Sequence, residues 1–144
     1  MCAKNTCGKY NSSWMCPPAC GELAQLEAKV KSFSQGFLVQ TVVQLEDSFD
    51  FEGMAEAANA HAKRFLDMWN DLGDTYPDMY ALGAGACMNC KTCTYPDAPC
   101  RFPDRTAPSM ESAGLFVSRV CKENGLKYNY GPDTLCYTSC YLFK

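Results

Sequence analysis

The sequence predicts an α/β fold in a single small domain, residues 1–144: a short, largely parallel sheet with flanking helices and cysteine-rich metal-binding loops. Three observations predict it. A length of 144 residues is that of one ordinary domain with one core. Hydrophobic residues make up 47% and charged residues 20%, a globular balance. Helical and extended periodicities alternate along the chain, which favours helix crossovers between strands that run the same way.

Leu23, Leu26, Val30 and Phe33 recur at three- and four-residue steps, so residues 22–33 read as a helix with one apolar stripe. Residues 36–45, GFLVQTVVQL, are rich in β-branched and large apolar side chains and read as a buried strand. A long helix is predicted over 51–72, with Asp50 as N-cap and Gly73 just past the end. Its stripe is Met54, Ala58, His61, Phe65, Trp69 and Leu72. Residues 79–82 form a second short strand that runs into Gly83-Ala84-Gly85-Ala86, a tight turn that lets backbone approach the loop beyond it.

That loop, 87–108, holds four prolines and almost no periodicity, so something other than helix or sheet must order it. Ser109 opens a third predicted helix, with Met110, Ala113, Val117, Val120 and Cys121 on one face and Gly125 at its end. Residues 134–143 form a last strand, in which Cys136 and Cys140 point to one face. Both read as core residues, as does Cys121 on its helical stripe.

Thirteen basic against sixteen acidic side chains give a net charge of −3, which offers no polycation for nucleic acid. The longest apolar run, 36–43, is far too short to span a bilayer, so no membrane partner is expected. No apolar segment of an export signal follows Met1, and the expected compartment is the cytoplasm. Eleven cysteines approach the density of a disulfide scaffold, yet the count is odd. In a reducing compartment, closely spaced thiols more often hold metal or do redox chemistry.

The central group reads Cys87-x2-Cys90-x2-Cys93, with Cys100 six residues later and followed by Arg101-Phe102-Pro103. Three thiols at that spacing wrap around one compact object, as a cubane iron–sulfur cluster requires. A single tetrahedral zinc is more often gripped by two separated pairs. The N-terminal group is Cys2, Cys7, Cys16 and Cys20, with Tyr10, Trp14, Met15, Pro17 and Pro18 able to exclude water around it. Either group can complete the other's ligand set, and the two are expected to meet at one end of the sheet. Lys9, Lys91, Arg101 and Arg105 either offset thiolate charge or form a solvated surface.

Other chemistries fit less well. His61 is the only histidine and reads as a hydrogen-bonded core residue, so a Cys/His nucleophile pair lacks support. Cys87-x2-Cys90 lacks the histidine of c-type haem attachment, and the third cysteine speaks against a thioredoxin-like pair.

The segments Met1–Tyr10, Trp14-Met-Cys16-Pro-Pro-Ala-Cys20-Gly21, 40–54, Cys87–Pro103 and Pro108-Ser-Met-Glu111 resemble the predicted metal-binding proteins of domain-of-unknown-function family 2284. The resemblance implies a small cytoplasmic metal or iron–sulfur protein of anaerobic microbes. Its pattern falls on Cys2, Cys7, Cys16, Cys20, Cys87, Cys90, Cys93 and Cys100, and leaves out Cys136 and Cys140. Asn11 stands where Gly is usual, and Glu111-Ser-Ala-Gly-Leu-Phe116 replaces the usual Glu-Ala-Tyr-Gly-Ile-Asp.

Together these readings predict an electron carrier or accessory redox protein with one or two 4Fe–4S clusters and a redox partner protein. One alternative is an enzyme that uses an open iron of the cluster as a Lewis acid, and another is a zinc-stabilised interaction module.

Overall fold

Three strands and three helices form, as the alternating and helical periodicities predict, but the third helix is shorter and the strands pair differently. The computed structural model describes residues 1–144 and contains, in chain order, α1 (Leu23–Lys31), β1 (Gln35–Gln44), α2 (Phe51–Gly73), β2 (Tyr80–Leu82), α3 (Val117–Glu123) and β3 (Thr134–Phe143). The sheet order is β1-β3-β2 and both pairings are antiparallel, so the expectation of a largely parallel sheet is overturned. The reason lies in where the last strand goes. Because both pair antiparallel with β3, β1 and β2 do run the same way, joined by the α2 crossover, but β3 enters between them. The result is a split β-α-β unit. Pairing of β1 with β3 is unbroken from Gln35↔Phe143 to Gln44↔Thr134.

Strand alternation gives the sheet two working faces. Leu38, Leu82, Cys140 and Leu142 meet α1, α3 and the segment before α3, where Leu26, Met110, Ala113, Val117 and Cys121 complete the core. A fully buried Leu or Met side chain contributes about 1.5–3 kcal/mol there. Tyr141 and Ser139 face α2 instead: Phe65 stacks on Tyr141 at 5.6 Å, and the Tyr141 hydroxyl donates to the Phe65 carbonyl at 2.8 Å. The middle strand therefore carries the buried positions. β1 is an edge strand with Phe37 and Val42 exposed, not the buried strand its composition suggested.

Asp50 caps α2 as predicted, its Oδ1 accepting from the Gly53 N–H at 2.9 Å and its Oδ2 from the Glu46 N–H at 3.1 Å. Gly73 is the last helical residue, not the one beyond it. On α1, Leu26 is buried but Leu23 is half exposed, which narrows the predicted stripe.

The third helix starts at Val117 and not at Ser109. Ahead of it, the Gly83 N–H donates to the Pro108 carbonyl at 3.0 Å and the Gly83 carbonyl accepts from the Met110 N–H at 3.0 Å, which claims this backbone for the end of β2. Gly114 then takes φ +83, a left-handed turn that an α-helix cannot contain. The predicted apolar face still forms, since Met110 and Ala113 from the turn and Val117 and Cys121 from α3 are all buried. α3 ends where Gly125 takes φ +74 and the Leu126 N–H reaches back to the Cys121 carbonyl at 2.9 Å.

Candidate metal centre

All eight patterned cysteines lie on two irregular segments, residues 1–22 and 87–108. The first begins with a short 3-10 turn, Cys2–Lys4, closed by Asn5 at φ 54. Asn5 Oδ1 accepts from the Tyr10 N–H at 3.0 Å, and the Asn11 N–H donates to the Pro17 carbonyl at 2.7 Å. Asn11 sits at φ 56, the left-handed region in which Gly is most at ease and Asn is tolerated. The second segment is folded on itself by Arg101 Nη1 on the Thr92 carbonyl at 2.8 Å and by Asn89 Nδ2 on the Arg105 carbonyl at 2.8 Å.

Side chains clasp the two segments together. Trp14 Nε1–H donates to the Ala98 carbonyl at 2.9 Å, Trp14 meets the edge of Tyr95 at 5.0 Å, and the Tyr95 hydroxyl donates to Asn11 Oδ1. An open cleft of about 770 Å³ runs along this junction. Its walls include Trp14 and Cys20 from the first segment, Cys100 and Pro103 from the second, and Trp69 and Tyr80 from the fold beneath. Of the eight thiols, Cys20 and Cys100 line this common cleft, one from each group.

Within each segment the thiols stand close enough to feel one another. Burial pushes the Cys20 thiol up to about 11, and the neighbouring Cys16 and Cys2 push the same way. Burial also raises Cys87, with Cys100, Cys90 and Cys93 adding to it. Cys7 is exposed. Thiols raised in this way release protons when they bind metal, because the ligand is the thiolate. Cys121 and Cys140 are buried in the apolar core and Cys136 is half-buried beside Thr138, as predicted for packing residues. Burial alone pushes Cys140 up to about 12.

No three His, Cys, Asp or Glu side chains converge tightly enough to hold a single ion. A bound group has either to span more than one ion's coordination sphere or to draw the segments inward. Two further atoms bear on the fit. Ser13 Oγ and Glu111 Oε2 are the only buried side-chain polar atoms without a hydrogen-bond partner. Ser13 belongs to the N-terminal segment, where its carbonyl accepts from the Cys16 N–H at 3.3 Å. Glu111 lines a cavity of about 270 Å³ that Cys2 also lines. A sulfur-rich donor set next to unsatisfied polar atoms suits a metal group. Neither atom was singled out from the sequence; the only signal was the position of Glu111 in the Pro-Ser-Met-Glu segment.

His61 is the hydrogen-bonded core residue that the stripe predicted. Its Nδ1 lies 2.8 Å from Thr41 Oγ1 and its Nε2 lies 2.7 Å from Ser139 Oγ. Burial and then the Arg64 cation lower it from 6.5 to about 4, so the ring is neutral. Lys9, Lys91, Arg101 and Arg105 are all exposed.

A family model described as a predicted metal-binding protein (DUF2284) matches residues 1–143. No curated protein and no solved structure matches the chain. No helix is long and apolar enough to cross a membrane.

Proposed function

The chain belongs to the predicted metal-binding proteins of domain-of-unknown-function family 2284, and from that premise we propose that it binds an iron–sulfur cluster and exchanges electrons with a protein partner. One observation carries the reading. Cys87 feels Cys90, Cys93 and Cys100 on a segment that has no regular structure of its own and is clasped to a second segment, where Cys20 feels Cys16 and Cys2. Cys2, Cys7, Cys16, Cys20, Cys87, Cys90, Cys93 and Cys100 are the residues that would hold one or two 4Fe–4S clusters, which supply one-electron chemistry when bound. The chain's own part is to present thiolates, to shield them with Trp14, Met15 and the prolines, and to set the potential through that shielding.

Oxygen-free purification followed by iron and acid-labile sulfide analysis tests this. The expected result is a brown protein with iron and sulfide in equal amounts. A colourless protein with stoichiometric zinc and no sulfide would establish the zinc-stabilised interaction module instead.

The cleft favours a second reading. Cys20 and Cys100 both line a largely apolar cavity of about 770 Å³, the size of a small-molecule site. An iron without a cysteine ligand facing that cavity would act as a Lewis acid on a substrate. Spectral titration with candidate ligands distinguishes the readings, since four cysteine-ligated irons would not respond.

A further inference from the structure

We propose that β1 is a subunit interface: its free edge pairs antiparallel with β1 of a second copy of this chain, about a two-fold axis at Gln40, to join the two sheets into one. No bound metal is needed for it.

The first ground is the bare edge. β1 pairs on one side only, with β3, and no backbone hydrogen bond outside that pairing involves residues 35–44. The ladder runs on to Leu45, whose N–H donates to the Asp133 carbonyl at 2.7 Å. In an antiparallel ladder every second residue bonds inward. The odd-numbered residues therefore bond to β3, and Gly36, Leu38, Gln40, Val42 and Gln44 turn their N–H and C=O groups outward. Folded proteins blunt such edges with charge, proline, a bulge or brevity. The opposite edge strand, β2, has only three residues. β1 has ten, with no charged residue, no proline and an unbroken register. An edge left in that state is a template for another strand.

The second ground is that the strand matches itself. With the axis at Gln40, outward residues meet outward residues: Gly36 lies opposite Gln44 of the second copy, and Leu38 opposite Val42. The five pairs so formed exchange about ten backbone hydrogen bonds. Directly opposed side chains share a face of the sheet. Val42 and Phe37, both exposed, thereby come against Leu38 and Val43 of the second copy. A shift of two residues either way sets Leu38 against Gln40 or Gln44 instead, so the apolar pattern selects this one register. Leu38 also lines, with Gly36, Leu115, Val120 and Leu126, a largely apolar cavity of about 450 Å³, and Val42 of the second copy is brought to its wall.

The third ground is that the polar side chains of the strand are held back. Gln40 Nε2 donates to Thr138 Oγ1 on β3 at 3.2 Å and to the Lys127 carbonyl at 2.8 Å, which keeps the amide over its own subunit at the axis. Gln44 Nε2 donates to the Asp133 carbonyl at 3.1 Å. What the edge presents is backbone and apolar surface related to itself by a two-fold axis, the commonest symmetry of protein dimers.

The test uses the full chain, purified without oxygen and kept reduced so that no cystine links two copies, as wild type, Val42→Lys and Val42→Pro. Sedimentation equilibrium is expected to give the wild type twice the mass of one chain and both variants half of that, with circular dichroism unchanged. Proline at 42 removes only an outward N–H, which an edge strand tolerates. Amide exchange followed by NMR locates the interface. The amides of Leu38, Gln40, Val42 and Gln44 are expected to exchange at least about tenfold more slowly in the wild type than in Val42→Lys, while those of Val39 and Thr41 stay protected in both. If a variant fails to fold, the wild-type exchange pattern alone decides. A monomeric wild type, a dimer that survives both substitutions, or a dimer whose outward amides exchange freely would overturn the proposal. A wild-type monomer that takes up an extended peptide along β1 would give the edge to a different partner and overturn it equally.

Discussion

Arg64 Nη1 donates to Thr41 Oγ1 at 3.0 Å, which turns the threonine's own hydrogen toward His61 Nδ1 and leaves the Nε2–H of His61 for Ser139. The network has a pH signature. The folded protein holds His61 neutral down to about pH 4, whereas an unfolded histidine takes up a proton near 6.5. Protons are bound more readily by the unfolded state in that window, so stability is complete above about pH 6.5 and falls as the pH drops toward 4. The expected loss in the metal-free protein is about 3 kcal/mol, read by denaturant unfolding across the window, with His61→Gln losing the slope. The burial of His61 was legible from helical spacing alone, and period-two alternation separated Cys136 and Cys140 from the other cysteines. Ser13 and Glu111 were not legible, because a missing hydrogen-bond partner is a property of everything that surrounds an atom.

Elements were legible wherever the local signal agreed with the tertiary one. β3 spans the residues its alternation gave, and α2 begins at its cap. Removing that cap in Asp50→Ala is expected to cost about 1–2 kcal/mol, toward the upper end of the range because both carboxylate oxygens accept backbone N–H groups. Equilibrium unfolding measures it, and a loss below a few tenths would contradict the capping role. The turn at Ser109 was misread as helix because Ser109-x-x-Ser112 resembles a cap. In fact the Ser112 N–H bonds to Ser109 Oγ within a turn, and Gly114 was the warning in the sequence. Strand direction was not legible for a different reason. Alternating helices and strands fix the relative direction of β1 and β2, but the insertion of β3 between them depends on a pairing about a hundred residues apart in the chain.

At the scale of the molecule, a sheet with helices on both faces carries a cap of irregular chain at one end. That cap has little regular backbone bonding, and the side-chain clasp at Trp14 and Tyr95 holds its two halves to each other. On the cluster-binding proposal the bound group adds to that clasp, so stability there is separable from that of the sheet. Trypsin is expected to cut the metal-free protein at Arg101 or Arg105, both exposed, at least about tenfold faster than the metal-loaded protein. The sheet and α2 should survive as a resistant core. Equal cleavage rates would mean that the clasp alone rigidifies the cap.

The same indole that bonds to Ala98 stands in the cleft wall with Trp69, close to Cys20 and Cys100. The molecule thereby carries its own lamp. A strongly coloured iron–sulfur core beside these rings would drain their fluorescence by energy transfer, whereas zinc, with its filled d shell, would leave them bright. Oxygen damage or cluster loss would then register as returning light, with no added dye.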